Sequence, residues 1–116
     1  MLKWYVIHAY SGHENRAKLS ILERLHADER LTGKFGDDIL IPPETVDERG
    51  KKFFPGYMYV QLDLKDTTPF PGTSLDRAHL LLNTLKNTPK VTGINGGWDN
   101  PMAVPPRDIE RVRGGG

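Results

Sequence analysis

The 116-residue chain contains no cysteine. That excludes disulfides, thiolate metal sites and cysteine nucleophiles, and it fits a reducing, cytoplasmic location. Long apolar runs are also missing. No stretch approaches membrane-spanning length, and the N-terminus offers a single Lys3 with no signal-peptide apolar region, so no membrane contact is expected. Charge of one sign is missing too. Sixteen Lys and Arg stand against fifteen Asp and Glu, for a net +1. This is not the balance of a protein that holds nucleic acid by phosphate contacts alone.

Catalytic constellations are equally scarce. His8, His13, His26 and His79 form no H-x-x-x-H pair, and no glycine-rich phosphate loop follows a strand. The acidic residues are scattered, without an evident acid/base pair. The expectation is therefore no enzyme, no cofactor and no metal. A lone strand histidine such as His8 is ordinarily a packed or surface residue. The small basic groups, Arg16 with Lys18 and Arg49 with Lys51 and Lys52, read first as solvated charge.

What is present is a strongly patterned stretch, Phe53-Phe54-Pro55-Gly56-Tyr57-Met58-Tyr59-Val60. After the Pro-Gly turn, Met58, Val60, Leu62 and Leu64 alternate with Tyr57, Tyr59, Gln61 and Asp63. That period of two predicts a central strand with one face in a core and two tyrosines on the other. Tyrosine combines a large apolar area with a polar handle and suits an interface, although helices covering both faces would give the same pattern.

The remaining elements follow in order. Leu2 to Tyr10 reads as a strand covered on both faces, with Trp4 on its core side and Tyr5 left open. Ser11 and Glu14 have capping-box spacing ahead of a helix over Arg16–Arg30. Its stripe is Ala17, Ile21, Leu22 and Leu25, widened by Leu19, with Arg16, Ser20 and Glu23 opposite and Gly33 as a stop. Ile39 to Ile41 is a short strand interrupted by Pro42-Pro43, an edge or a bend, and Glu44 to Lys52 is a hairpin arm. Asp66 to Gly72 is a loop. Leu75 to Lys86 is a second helix, with Thr73 and Asp76 again at capping-box spacing, ended at Asn87-Thr88-Pro89. Val91 to Ile94 is a last short strand, and Pro105-Pro106 opens a third helix. This order predicts an α+β fold, an antiparallel sheet with packed helices.

These residues resemble the NusG family of bacterial transcription elongation factors. Lys3-Trp4-Tyr5-Val6 with Ala9-Tyr10-Ser11-Gly12-His13-Glu14 is similar to the family's opening. Ile41-Pro42 with Glu44, then Lys52-Phe53-Phe54-Pro55-Gly56-Tyr57, is similar to its middle strands. Pro89-Lys90-Val91 with Gly93 and Gly96-Gly97 resembles the segment after its second helix, and Pro105 to Val112 its closing helix. The likeness covers residues 3 to 113. It implies an N-terminal (NGN) domain over residues 1–113, with a four-stranded antiparallel sheet similar in outline to an RNA-recognition fold. Residues 114–116 would then begin a linker or end a truncated chain, and the family's second, KOW-type β-barrel would be absent.

The resemblance also implies a job: regulation of transcription elongation, pausing, processivity, termination and antitermination. The domain would dock on the clamp helices of the largest RNA polymerase subunit and bridge the cleft. His8, Phe54, Tyr57 and Tyr59 would line the depression that accepts those helices. Arg16 and Lys18 would lie near non-template DNA at the upstream fork. The gate loop of the second-largest subunit would face the 66–76 region, and Rho or the ribosome would be reached only through the KOW domain. Two departures stand out: the arm over residues 45–52 is shorter than in many relatives, and the 66–76 region is longer. An operon-specific paralogue of the family would share the fold and the aromatic strand. A free RNA-binding module of RRM type is the competing class, since aromatics on a sheet can stack bases. The near-neutral charge and the lack of an RNP-like run count against it.

Overall fold

Strand β1 (Lys3–Ala9) is the centre of the sheet. On one edge it pairs antiparallel with β4 (Tyr57–Leu62), matching Lys3 to Leu62, Tyr5 to Val60, Ile7 to Met58 and His8 to Tyr57. On the other edge lie β5 (Val91–Ile94) and β6 (Ala103–Val104), both antiparallel to β1 and placed one after the other along it. The two act as a single strand position interrupted by the 95–102 loop, whose ends meet where the Met102 amide donates to the Asn95 carbonyl. Gly96, at φ +88°, makes this closure possible: a Cβ there would stand 2.7 Å from the Asn100 carbonyl oxygen. The stretch after Pro55-Gly56, expected to be central, is thus second to β1. Its far edge is capped by the 34–40 segment through bridges from Phe35 to Leu62 and Leu40 to Tyr59.

The computed structural model describes residues 1–42, 45–46, 52–53 and 56–114, with side chains left aside at 45–46, 52–53 and 112–114. Within that range β2 (Thr45–Val46) and β3 (Lys52–Phe53) pair as a separate two-stranded ribbon. Phe54 and Pro55 lie outside the described residues, so the expectation for Phe54 has no structural counterpart.

Two helices cover one face. Helix α1 (Glu14–His26) buries Ala17, Ile21 and Leu25, the i, i+4, i+8 stripe of an amphipathic helix. Helix α2 (Arg77–Lys86) buries Ala78, Leu81 and Leu85. Against them the sheet turns Tyr5, Ile7, Ala9, Met58, Val60, Leu62 and Ile94, and with Leu31 and Ile39 these form one core. This four-stranded antiparallel sheet with packed helices is the α+β architecture expected.

Several local expectations are corrected. Tyr5, not Trp4, belongs to the core: Tyr5 is 7% exposed, whereas Trp4 is half-buried on the opposite face. The pleat decides this, because Tyr5 shares its side with the fully buried Ile7. Leu19 is 67% exposed and does not widen the stripe. The Ser11–Glu14 capping box does not form. Tyr10 to His13 closes a turn through the His13 amide and the Tyr10 carbonyl, with Gly12 left-handed at φ +84°. His13 therefore becomes the N-cap and Glu14 the first helical residue, buried at 3% with no hydrogen-bond partner for its carboxylate. The helix stops at His26 rather than Arg30, and a 3-10 turn (Glu29–Leu31) follows, opened by Asp28, whose side chain accepts from the Arg30 amide. At α2 the cap is Asp76 itself, accepting from the His79 amide at 2.8 Å, while Thr73 orders the preceding loop. The third helix, α3 (Pro106–Gly114), follows β6, a strand the sequence pattern did not reveal.

Candidate functional site

The face of the sheet away from α1 and α2 carries Trp4, Val6 and His8 from β1 and Tyr57, Tyr59 and Gln61 from β4. The register sets them in rows: His8 opposite Tyr57, Val6 opposite Tyr59, Trp4 opposite Gln61. Alternation along each strand places these residues together, so the three described members of the expected docking set, His8, Tyr57 and Tyr59, share one surface. His8 is exposed and both tyrosines are half-buried. The tyrosine rings meet edge to face, with centroids 5.8 Å apart and planes at 81°. That geometry lets the positive edge of one ring face the π cloud of the other.

Gly56 fixes how β4 enters this surface. It is buried at φ +73°, and its Cβ position would lie 3.1 Å from the Ser11 hydroxyl and 3.2 Å from the Ala9 carbonyl oxygen. Its own carbonyl accepts from the Ala9 amide at 2.9 Å. The absence of a side chain draws the start of β4 against the end of β1, which brings Tyr57 beside His8.

The Tyr59 hydroxyl is held in its neutral form above the ordinary tyrosine range. Burial is the main cause, followed by Tyr57, through charge and a hydrogen bond, and by Asp108. Tyr5 is raised as well, by burial and then by Asp63. Asp63 itself is held low, first by the N-terminal ammonium at 2.9 Å and then by the Lys65 amide, with Lys34 adding to it. Asp108, on α3, is the weakest of the causes that raise Tyr59. Sequence reasoning did not single out Ile109, an isolated apolar residue in Pro106-Arg107-Asp108-Ile109-Glu110-Arg111, which is 3% exposed.

The two basic residues picked from the sequence lie elsewhere. Arg16 is exposed and Lys18 half-buried, both on α1. The structure does not join them to the tyrosine surface. Tyr10, at the end of β1 and 58% exposed, was not singled out. In the 66–76 loop the Phe70 ring is held between the Arg30 and Arg77 guanidiniums, 5.4 and 5.0 Å from its centre, and Arg77 also donates to the Arg30 carbonyl and to Asp66. The loop expected to be merely irregular is thus pinned to α2 and the 3-10 turn. Among the described residues no group of three or more His, Cys, Asp or Glu could hold a metal ion, and no helix is long and apolar enough to cross a membrane.

The chain is a two-layered α+β domain with an aromatic, partly open sheet face. The family model described as transcription termination factor NusG matches residues 2–113, and the chain belongs to the NusG family. It is 35% identical to the transcription termination/antitermination protein NusG of Pseudomonas aeruginosa over 95% of its length, and 33% identical to that of Xylella fastidiosa strain 9a5c over 97%. The chain spans 59% and 62% of those two relatives. A solved structure titled "Domain interaction in Thermotoga maritima NusG" aligns with the whole chain at a TM-score of 0.64 and 27% identity, and the chain covers 59% of it.

Proposed function

We propose that this chain is the polymerase-binding domain of a NusG-type transcription factor, acting in elongation, termination and antitermination. The observation that carries the reading is the joint surface of His8, Tyr57 and Tyr59 on a sheet whose other face is fully packed. Soluble domains seldom leave aromatic area open without a partner for it. The partner proposed is the pair of clamp helices of the largest RNA polymerase subunit, laid into the aromatic depression with Phe54 completing its rim. A helix in a groove is recognised by a few apolar anchors, and the two tyrosines, already packed on each other, lose little side-chain freedom on binding.

Docked there, the domain would bridge the cleft, limit backtracking and so alter pausing and processivity. Arg16 and Lys18 would approach non-template DNA, a local and salt-sensitive contact given the net charge of +1. The pinned 66–76 loop stands at the end of α2 proposed to face the gate loop. Rho or the ribosome would be reached through a further KOW domain of a longer protein. The setting is the cytoplasm, at the transcribed nucleoid.

The test is a binding measurement of the domain against core RNA polymerase and against random single-stranded RNA. Polymerase binding that is lost in Tyr57→Ala/Tyr59→Ala, with the fold retained by circular dichroism, is the expected result. Tight RNA binding without polymerase binding would favour the RRM-like module instead.

A further inference from the structure

We propose that Arg77 is the positioning residue of the 66–76 loop, and that the loop it shapes is a second, preformed contact for the polymerase. The second clause rests on the polymerase reading above; the first does not.

The loop is ordered without a share in the core. Among the described residues, the apolar cluster and the side chains packed against it include Leu64 before the loop and Leu80 after it, but none from 66 to 76. Its order comes from elsewhere. The Phe70 amide donates to the Leu75 carbonyl at 2.7 Å and the Thr73 amide to the Phe70 carbonyl at 3.0 Å, so the loop closes on itself. The Ala78 amide donates to the Asp66 carbonyl at 3.1 Å and joins the loop's two ends. These bonds give the loop its outline. They do not fix its attitude to the rest of the domain.

Arg77 does that by holding three groups at once. Its guanidinium lies 5.0 Å from the Phe70 ring centre, its Nε donates to the Arg30 carbonyl at 3.0 Å, and its Nη1 reaches the Asp66 carboxylate at 3.4 Å. Ring, 3-10 turn and loop start thus meet on one planar group. A lysine would carry the charge without the three directions, because its donors radiate from a single point. Arg30 also meets the ring, at 5.4 Å, but its fork is committed to Asp28 at 3.0 and 2.9 Å. Lys34 reaches Asp66 at 3.4 Å and so touches only the loop's first residue.

Residues 67–69 and 71–74 are exposed, and none is charged. The flanking guanidiniums are matched by Asp28 and Asp66. Such a tip offers little to a phosphate backbone. It suits a protein surface, to which it presents proline rings and hydroxyls on a backbone ordered in advance. Loops fixed on a rigid scaffold commonly carry binding, and this one is fixed without adding to the core.

Arg77→Lys keeps the charge and removes the planar fork. In the domain alone, the Phe70 and Thr73 amides should exchange about threefold faster or more in this variant, with those of β1 and β4 unmoved. Unchanged exchange at Phe70 and Thr73 would overturn the first clause. Phe70→Leu, which keeps apolar bulk without the π face, should loosen the same amides, whereas Phe70→Tyr should not. Equal protection with Leu and with Tyr would overturn it too. Against core polymerase, Arg77→Lys and Phe70→Leu should each weaken binding about threefold, and the two together should do no worse than either alone, since both act through one stack. Losses that add, or full affinity in Arg77→Lys, would refute the second clause. The tyrosine face is untouched in these variants, so that refutation leaves the docking reading standing. If the unaltered domain does not bind polymerase at all, the docking reading fails, the second clause falls with it, and the first is judged on exchange alone.

Discussion

The two faces of one sheet are built from the same strands and have opposite fates. On the inner face Ile7, Met58, Val60 and Leu62 are fully buried under two helices that each contribute a regular apolar stripe. On the outer face their immediate neighbours along the chain, Val6, His8, Tyr57, Tyr59 and Gln61, are exposed or half-buried. The inner side carries the stability. The outer side spends little of it and keeps aromatic area available. A strand with period two can serve both ends because neither side chain set constrains the other.

The sharpest way to break this contrast is to place a charge on the inner side. Leu81→Asp should cost more than about 4 kcal/mol and unfold the domain at ordinary temperature, since the carboxylate would be buried without a partner. A folded Leu81→Asp domain, seen as a cooperative melt, would mean the inner face is not the core. On the outer side, Tyr57→Ala with Tyr59→Ala should leave the melt nearly unchanged and cost about 4 kcal/mol of polymerase binding, close to a thousandfold. If the double variant unfolds instead, the two faces are not functionally divided.

A finer comparison uses pH. Both Tyr5, inside, and Tyr59, outside, have raised values, so the fold favours their neutral forms. Their contribution is complete below the unfolded tyrosine value of about 10 and is lost as pH rises through the folded values. Thermal melts between neutral pH and pH 11 should show stability falling at the alkaline end, and Tyr59→Phe should flatten that fall by less than about 4 °C. No change in slope would indicate that Tyr59 sits as freely in water as in the unfolded chain. The smallest effect is expected where neither face is touched. Arg16→Ala should leave folding and polymerase binding intact and weaken crosslinking to non-template DNA, lowering the salt dependence by roughly one phosphate contact. Equal crosslinking at low salt would make Arg16 plain solvated surface.

Much of this division was legible in the chain. The alternation after Pro55-Gly56 identified the buried and the tyrosine sides of β4, and the stripe of α1 named Ala17, Ile21 and Leu25. What failed was local and had local causes. Ser11 and Glu14 matched a capping box, but the Gly12 turn takes up Ser11 and moves the N-cap to His13, leaving Glu14 as the first helical residue. β6 is two residues long, too short for any periodicity to show.

The sequence by itself determined the inner face of β4, the buried stripe of α1 and the family, because periodicity and motif are properties of neighbouring residues. Only the tertiary structure decided that β1 is central, that Tyr5 rather than Trp4 is inside, and that His8 stands opposite Tyr57. Those facts depend on register and on contacts between residues up to about fifty or more positions apart, and each is settled by which pairings bury the most apolar area together, a quantity no local pattern contains.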